Sequence, residues 1–481
     1  MSGKSLKVNA SLNGIKTMMS ILFPLITFPY ATRILQVENL GKVNFSNSVI
    51  SYFTLLAALG VSTYAIREGA RNKNDNNKFN EFANQVFTIN VISTGIAYLA
   101  LFIIILLVPR LREYKILLLI QSSMIIFNTI GVEWIYSVYE DYVFLTIRSL
   151  IFQLISMALL FLLVKDTNDY YIYVMITVLS TVGSNLLNYM NSRKYCKIKL
   201  TKELNLKKHI KPILIIFSTS IATTIYVNSD LTMLGVMVGD HAVGLYSVST
   251  KVYSVIKTVL SAVIIVAVPR LSYYLSNDME DKYKNTVTKI FNSLSLLTLP
   301  TVVGINLLCN QIVMIIAGVN YIEANISLRI LSIALVFSNF ASFTTASVLL
   351  PMKKEKYILM ATIASALVNV MLNLFLIPMF HQNGAALTTA IAELLVFLIS
   401  YYHARKFIKI DGVVKNLATS SIGCVGMIVV SSIIKLFVVS TTLYTVFTIV
   451  GSIVIYLMVL LLLKNNLALE LINGIIKKFK N

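Results

Sequence analysis

Residues Val243–Val268 read VGLYSVSTKVYSVIKTVLSAVIIVAV. Wound as a helix, the stretch is long enough to cross a bilayer, yet Lys251 and Lys257 lie inside it. A charge within a membrane span is costly unless it faces water or a partner. At 100° per residue, Ser247, Thr250, Lys251, Ser254, Lys257, Thr258 and Ser261 fall within an arc of roughly 120°, and the rest of the surface is mainly aliphatic. Such a stripe suits the wall of a hydrated cavity. It also suits hydroxyls packed against another helix with lysines that snorkel, although Lys257 lies too deep to reach either surface easily.

Working outward, apolar runs of this kind recur about fourteen times. They lie at roughly 12–35, 43–66, 82–108, 114–138, 143–164, 170–191, 212–236, 243–268, 287–308, 324–350, 357–378, 384–406, 414–437 and 441–463. Hydrophobic residues make up 57% of the 481 and charged residues 13%, outside the soluble norm. The expectation is an all-α polytopic membrane protein with no sizeable soluble domain. The first run is too long for a secretory h-region. Cys196, Cys309 and Cys424 and the four histidines form no metal or disulfide pattern.

The net charge of +20 sorts by side. With these spans, about 29 Lys and Arg fall on one set of alternate connections and about 7 on the other. This is the positive-inside bias, so both termini are expected in the cytoplasm. The basic excess then reflects topology and contact with lipid headgroups, not nucleic acid.

The longest hydrophilic connection, Asn191–Lys211, follows six spans, and six more follow it. An even number lets both halves enter from the same side, related by a pseudo-twofold axis along the membrane normal. The expected division is 1–200 and 201–411 as two six-helix lobes, then 412–481 as two extra helices and a basic tail.

Eight charges fall within spans: Lys16, Glu133, Arg148, Asp230, Lys251, Lys257, Arg329 and Glu393. In lipid they would cost about 24 kcal/mol together on the insertion scale, so they must face one another or water. Glu133 and Arg148 lie about equally far from the turn at Glu140–Asp141, which predicts an ion pair acting as a hairpin staple or a gate. Asp230, Lys251, Arg329 and Glu393 lie about 9–14 Å in from the outer ends of four helices, as a substrate or ion site or a compensated network. Asn369 and Asn373 line the same chamber or bond across helices. Span one carries Pro24 and Pro29, which bend or break it. Enzyme signatures are absent from the sequence.

The run Phe23-Pro24-Leu25-Ile26-Thr27-Phe28-Pro29-Tyr30-Ala31-Thr32-Arg33-Ile34-Leu35 is followed by Ser51-Tyr52-Phe53 and Ala57-Ala58-Leu59-Gly60-Val61. Further on come Glu133-Trp134-Ile135-Tyr136, Asn228-Ser229-Asp230, Val243-Gly244-Leu245-Tyr246, Asn373-Leu374-Phe375-Leu376-Ile377-Pro378 and Asn383-Gly384-Ala385-Ala386. In order and spacing the chain resembles Wzx-type polysaccharide repeat-unit flippases of the multidrug/oligosaccharidyl-lipid/polysaccharide exporter superfamily. It departs at Gln36, where that family favours Gly, and at Ala65.

The resemblance implies two six-helix lobes around a central cavity, in the bacterial cytoplasmic membrane. It implies a transporter, not an enzyme, that moves oligosaccharide on undecaprenyl pyrophosphate by alternating access for capsule, O-antigen or exopolysaccharide. A polymerase and a chain-length regulator would be partners, and H+ or Na+ coupling or the membrane potential would drive it, with no other cofactor. Lys16, Arg148, Lys251, Lys257 and Arg329 are the cations available to the pyrophosphate, with Asn369 and Asn373 for sugar and Glu133, Asp230 and Glu393 for a coupling ion or structural pairs. The alternatives are a drug or cation exporter, a peptidoglycan-precursor flippase, and a membrane polymerase or glycosyltransferase.

Overall fold

The computed structural model describes residues 6–408, 413–465 and 469, without the side chains of 6–13, 15–17, 20 and 21. No strand occurs among the described residues. The chain divides into two compact units, Met1–Gly244 and Leu245–Asn481.

The first unit holds α1 (Leu6–Ala58), α2 (Val61–Asn72), α3 (Asn76–Leu107), α4 (Pro109–Arg112), α5 (Lys115–Ile130), α6 (Glu133–Val138), α7 (Tyr142–Leu163), α8 (Tyr170–Ser192) and α9 (Leu206–Met237). Helix α10 (Asp240–Ser276) contains the boundary. The second unit continues with α11 (Glu280–Leu307), α12 (Cys309–Ile316), α13 (Ala324–Ser342), α14 (Glu355–Ala404), α15 (Val413–Phe437) and α16 (Thr441–Leu462). The units part at Gly244–Leu245 and not at residue 200 because α9 packs on α1 and α2.

Eleven described helices are long and apolar enough to cross a membrane. Two of them, α1 and α14, each join two helices across a non-helical residue, Gln36 and His381. Counting those halves separately, with the shorter apolar α5, recovers fourteen spans. Gln36 takes φ 61°, ψ 177°, a region that costs a side chain about 1–3 kcal/mol. The sequence therefore places a glutamine where the backbone favours glycine. Its Nε2 donates to Arg33 O at 2.7 Å, which satisfies a carbonyl at the break.

The expected second span does not run on to residue 66. It ends at Ala58, where Leu59 (φ 45°) and Gly60 (φ 74°) turn the chain into α2. The fourth span is likewise broken, between α5 and α6, by Gly131 and the left-handed Val132. A Cβ on Gly131 would overlap the Asn185 side chain of α8, so the absence of a side chain permits that close approach.

After α8 the chain forms a strap. The backbone N–H groups of Lys197, Lys199 and Thr201 donate to Asn80 Oδ1 (3.0 Å), Asn84 Oδ1 (2.7 Å) and Thr88 Oγ1 (3.0 Å) on α3. Cys196 and Ile198 tuck into the apolar cluster of α2, α3 and α6, and burial pushes the Cys196 thiol up to about 12. In the second unit α15 packs on α11 and α16 on α15. Tyr456 on α16 donates to Leu296 O at 2.8 Å, so the two extra helices are tied to this unit.

Candidate functional site

The first unit contains a groove of three hollows that share lining residues. Its widest chamber, about 420 Å³, lies between α1, α2, α3, α5, α6 and α8 and is lined in part by Thr54, Asn90, Asn128, Glu133 and Asn185. A waist of about 210 Å³ follows and shares Asn128, Glu133 and Asn185 with it. A third chamber of about 220 Å³ shares Gln153, Ser180 and Thr181 with the waist and ends on α1 at Phe23 and Thr27. Every residue lining the waist is polar: Asn128, Glu133, Arg148, Ser149, Gln153, Ser180, Thr181, Ser184 and Asn185. Polar groups at membrane depth are expensive unless they meet a partner or water.

Local sequence places these groups. The break at Gly131–Val132 makes Glu133 the first residue of α6 and turns its side chain, 45% exposed, into the waist. Arg148 on α7 is only 4% exposed. Its Nη1 donates to Ser184 O at 2.8 Å and its Nη2 lies 3.5 Å from Glu133 Oε2. Its buried Nε has no partner. The guanidinium is thus held at one edge, beside a carboxylate open to the groove. Asn185 Nδ2 donates to Asn128 Oδ1 at 2.8 Å and fixes those two amides. Asn90 Nδ2 donates to Ala57 O at 2.7 Å, where α1 nears its end.

The second unit treats charge differently. Lys257 Nζ is 2.6 Å from Glu393 Oε1, and Tyr253 Oη donates to the same oxygen at 2.7 Å. The carboxylate is 5% exposed. Glu393 is therefore tied to Lys257. Asp230 belongs to the first unit, buried on α9 within electrostatic range of Tyr52. Lys251 is half-buried on α10. Arg329 is exposed, five residues into α13 and beside Cys309, which leaves it near a helix end. On the expected stripe of α10, Ser254 and Thr258 are exposed and their hydroxyls bond back to Lys251 O and Ser254 O.

Asn369 and Asn373 are buried. Asn373 Nδ2 donates to Asn369 Oδ1 at 3.3 Å, and Thr388 Oγ1 donates to Asn373 Oδ1 at 2.5 Å. They bond the two halves of α14 together and do not line an open chamber. The Lys16 side chain lies outside the described residues. Sequence reasoning followed charges and so missed Asn90, Asn128, Gln153 and Asn185. Their signal was available as amides inside apolar spans.

Residues 6–275 match the family model described as polysaccharide biosynthesis protein. A relative in Escherichia coli (strain K12), named as a proposed O-antigen transporter, is 23% identical over 82% of this chain and 95% of its own. The capsular polysaccharide biosynthesis protein CapF of Staphylococcus aureus is 22% identical over 82% and 97%. Among solved structures, the lipid II flippase MurJ in an inward closed conformation matches with a TM-score of 0.76. It covers 94% of this chain and 99% of that one at 17% identity. An inward-facing multidrug resistance MATE family transporter matches at 0.57, with 16% identity over 83% and 97%. These likenesses establish a shared fold.

Proposed function

The chain belongs to the polysaccharide biosynthesis protein family, and from that premise we propose that it is a flippase for oligosaccharide linked to undecaprenyl pyrophosphate, a transporter and not an enzyme. It works in the bacterial cytoplasmic membrane, with both termini in the cytoplasm, for capsule, O-antigen or a related surface glycan. The observation that carries this reading is the groove of the first unit, whose waist is polar on every side. Amides and hydroxyls that both donate and accept match the hydroxyls of a sugar. The guanidinium of Arg148 adds a fixed positive charge for an anionic group.

In this reading sugar occupies the groove while the lipid tail stays in the bilayer, and transport proceeds by alternating access. Lys16 and Lys251 join Arg148 as cations offered to the pyrophosphate. Lys257, already tied to Glu393, holds the second unit together, and Asn369 and Asn373 do the same within α14. The open carboxylate of Glu133 is the natural place for a coupling H+ or Na+. A polysaccharide polymerase and a chain-length regulator act on the product. A drug exporter would instead collect acids in its cavity, and this waist holds one acid beside one base.

The test is reconstitution of the full chain into vesicles with a lipid-linked oligosaccharide, scored by lectin access to the outer face. Wild type should move the lipid, and Asn185→Leu, which removes an amide from the waist and its bond to Asn128, should not. Equal movement by both, or efflux of cationic dyes with no movement of lipid-linked sugar, defeats the proposal.

A further inference from the structure

The first unit has a second concavity, apart from the groove, at the C-terminal end of α8. It encloses about 300 Å³ and is lined by Tyr189, Ser192, Arg193, Lys197, Ile198 and Lys199. Three of these are cations and none is an acid. Neighbouring Lys194 pairs with Asp141 at 3.9 Å. Arg193, Lys197 and Lys199 form no ion pair among the described residues.

Like charges gathered around one hollow repel, and an anion placed between them removes the repulsion. Here the gathering is imposed by the backbone. Both lysines are on the strap, and their own N–H groups are fixed to Asn80 and Asn84 of α3. A site held ready in this way loses little entropy on binding. The end of a helix presents carbonyls that would oppose an anion. At α8 those of Asn191 and Ser192 are taken by the N–H groups of Lys194, Tyr195 and Cys196 at 2.9–3.1 Å.

We propose that this pocket binds a phosphate or pyrophosphate group. Arg193 supplies a planar fork suited to two phosphate oxygens, and the lysines supply point charges. Ser192 and Tyr189 line the neutral side. The group can come from an anionic phospholipid headgroup or from a pyrophosphate that is not part of the surrounding bilayer, and the two sources separate by experiment.

The full chain is placed in phosphatidylcholine nanodiscs. One arm titrates inorganic pyrophosphate. The other substitutes phosphatidylglycerol and counts retained lipid by native mass spectrometry. The triple variant Arg193→Gln/Lys197→Gln/Lys199→Gln should lose at least about tenfold in affinity, the scale of one or more charge-assisted bonds. The control Lys207→Gln/Lys211→Gln alters lysines at a separate hollow on α9 and should bind as wild type. The charge-preserving variant Arg193→Lys/Lys197→Arg/Lys199→Arg should retain binding, which separates a lost site from a misfolded chain. Binding in the first arm identifies a pyrophosphate, and binding only in the second identifies a membrane headgroup. Absence in both arms, or equal binding by the triple variant, overturns the proposal. Neither arm measures transport, so this site and the flippase reading stand or fall separately.

Discussion

Each unit carries an interhelical ion pair among its membrane-spanning helices, and the two are built in opposite ways. In the second unit the acid is the buried member. Glu393 receives both Lys257 and the Tyr253 hydroxyl on one oxygen at 2.6 and 2.7 Å. In the first unit the base is the buried member. Arg148 reaches Glu133 at a looser 3.5 Å, with one nitrogen unpartnered and the carboxylate open to the groove. A short pair built on a buried acid, with a second donor on the same oxygen, serves as a clamp. A long, incompletely bonded pair beside a cavity can exchange a partner at little cost. Intramembrane charge alone therefore does not mark a site. The bonding left over does.

The contrast can be broken most directly in the second unit. Glu393→Ala strands Lys257 and should cost about 3–5 kcal/mol, read as loss of monodisperse protein after heating in detergent. Lys257→Met/Glu393→Leu should recover most of that loss. If the single change is silent, the clamp is not one.

Arg148→Ala should do the reverse. We expect movement of lipid-linked oligosaccharide to fall about ten- to hundredfold, the scale of one or two bonds to a charged group. Melting should shift less than in Glu393→Ala, because the acid left behind faces the groove. A larger melting shift than that of Glu393→Ala would recast Arg148 as a staple.

Two close glycine contacts, one in each unit, sharpen the comparison further. Gly384→Ala in α14 presses on a backbone carbonyl, that of Leu376, whereas Gly131→Ala presses on the Asn185 side chain. The first should cost about 3 kcal/mol and the second about 1 kcal/mol, with the displaced Asn185 narrowing the waist. Thermal unfolding of the pair gives the order.

The smallest effect concerns the breaks themselves. Gln36→Gly and His381→Gly should each stabilise by about 1 kcal/mol, because both residues hold positive φ. A loss at either would mean that its side chain contributes more than the strain it carries.

Much of this was legible in the chain. Helix length and apolarity set the spans, and equal distance from the turn at Glu140–Asp141 placed Glu133 beside Arg148. The Lys257–Glu393 pair was not legible by depth counted along Cα positions. Helical side chains lean toward the N-terminus of their helix, so the head of a long lysine lies about a turn from its own Cα. The groove was hidden for another reason. Asn128 and Asn185 carry no charge, and in sequence a neutral amide in an apolar span looks the same whether it bonds across helices or lines a cavity. The breaks at Leu59–Gly60 and Gly131–Val132 depend on which neighbour comes close, and the one-dimensional pattern does not record that.

The strap on α3 imposes a limit on itself. From Asn80 to Thr88 the helix climbs about 12 Å, and four strap residues cover that distance against about 13 Å for a full strand. The two ladders are slightly out of step, like the scales of a vernier, so the bonding stays good for three rungs and drifts beyond them. Ile92, where the next acceptor would fall on α3, has no oxygen in its side chain to offer. Deleting one residue from the strap would invert its alternation, turning a lysine toward the apolar cluster that now holds Cys196 and Ile198.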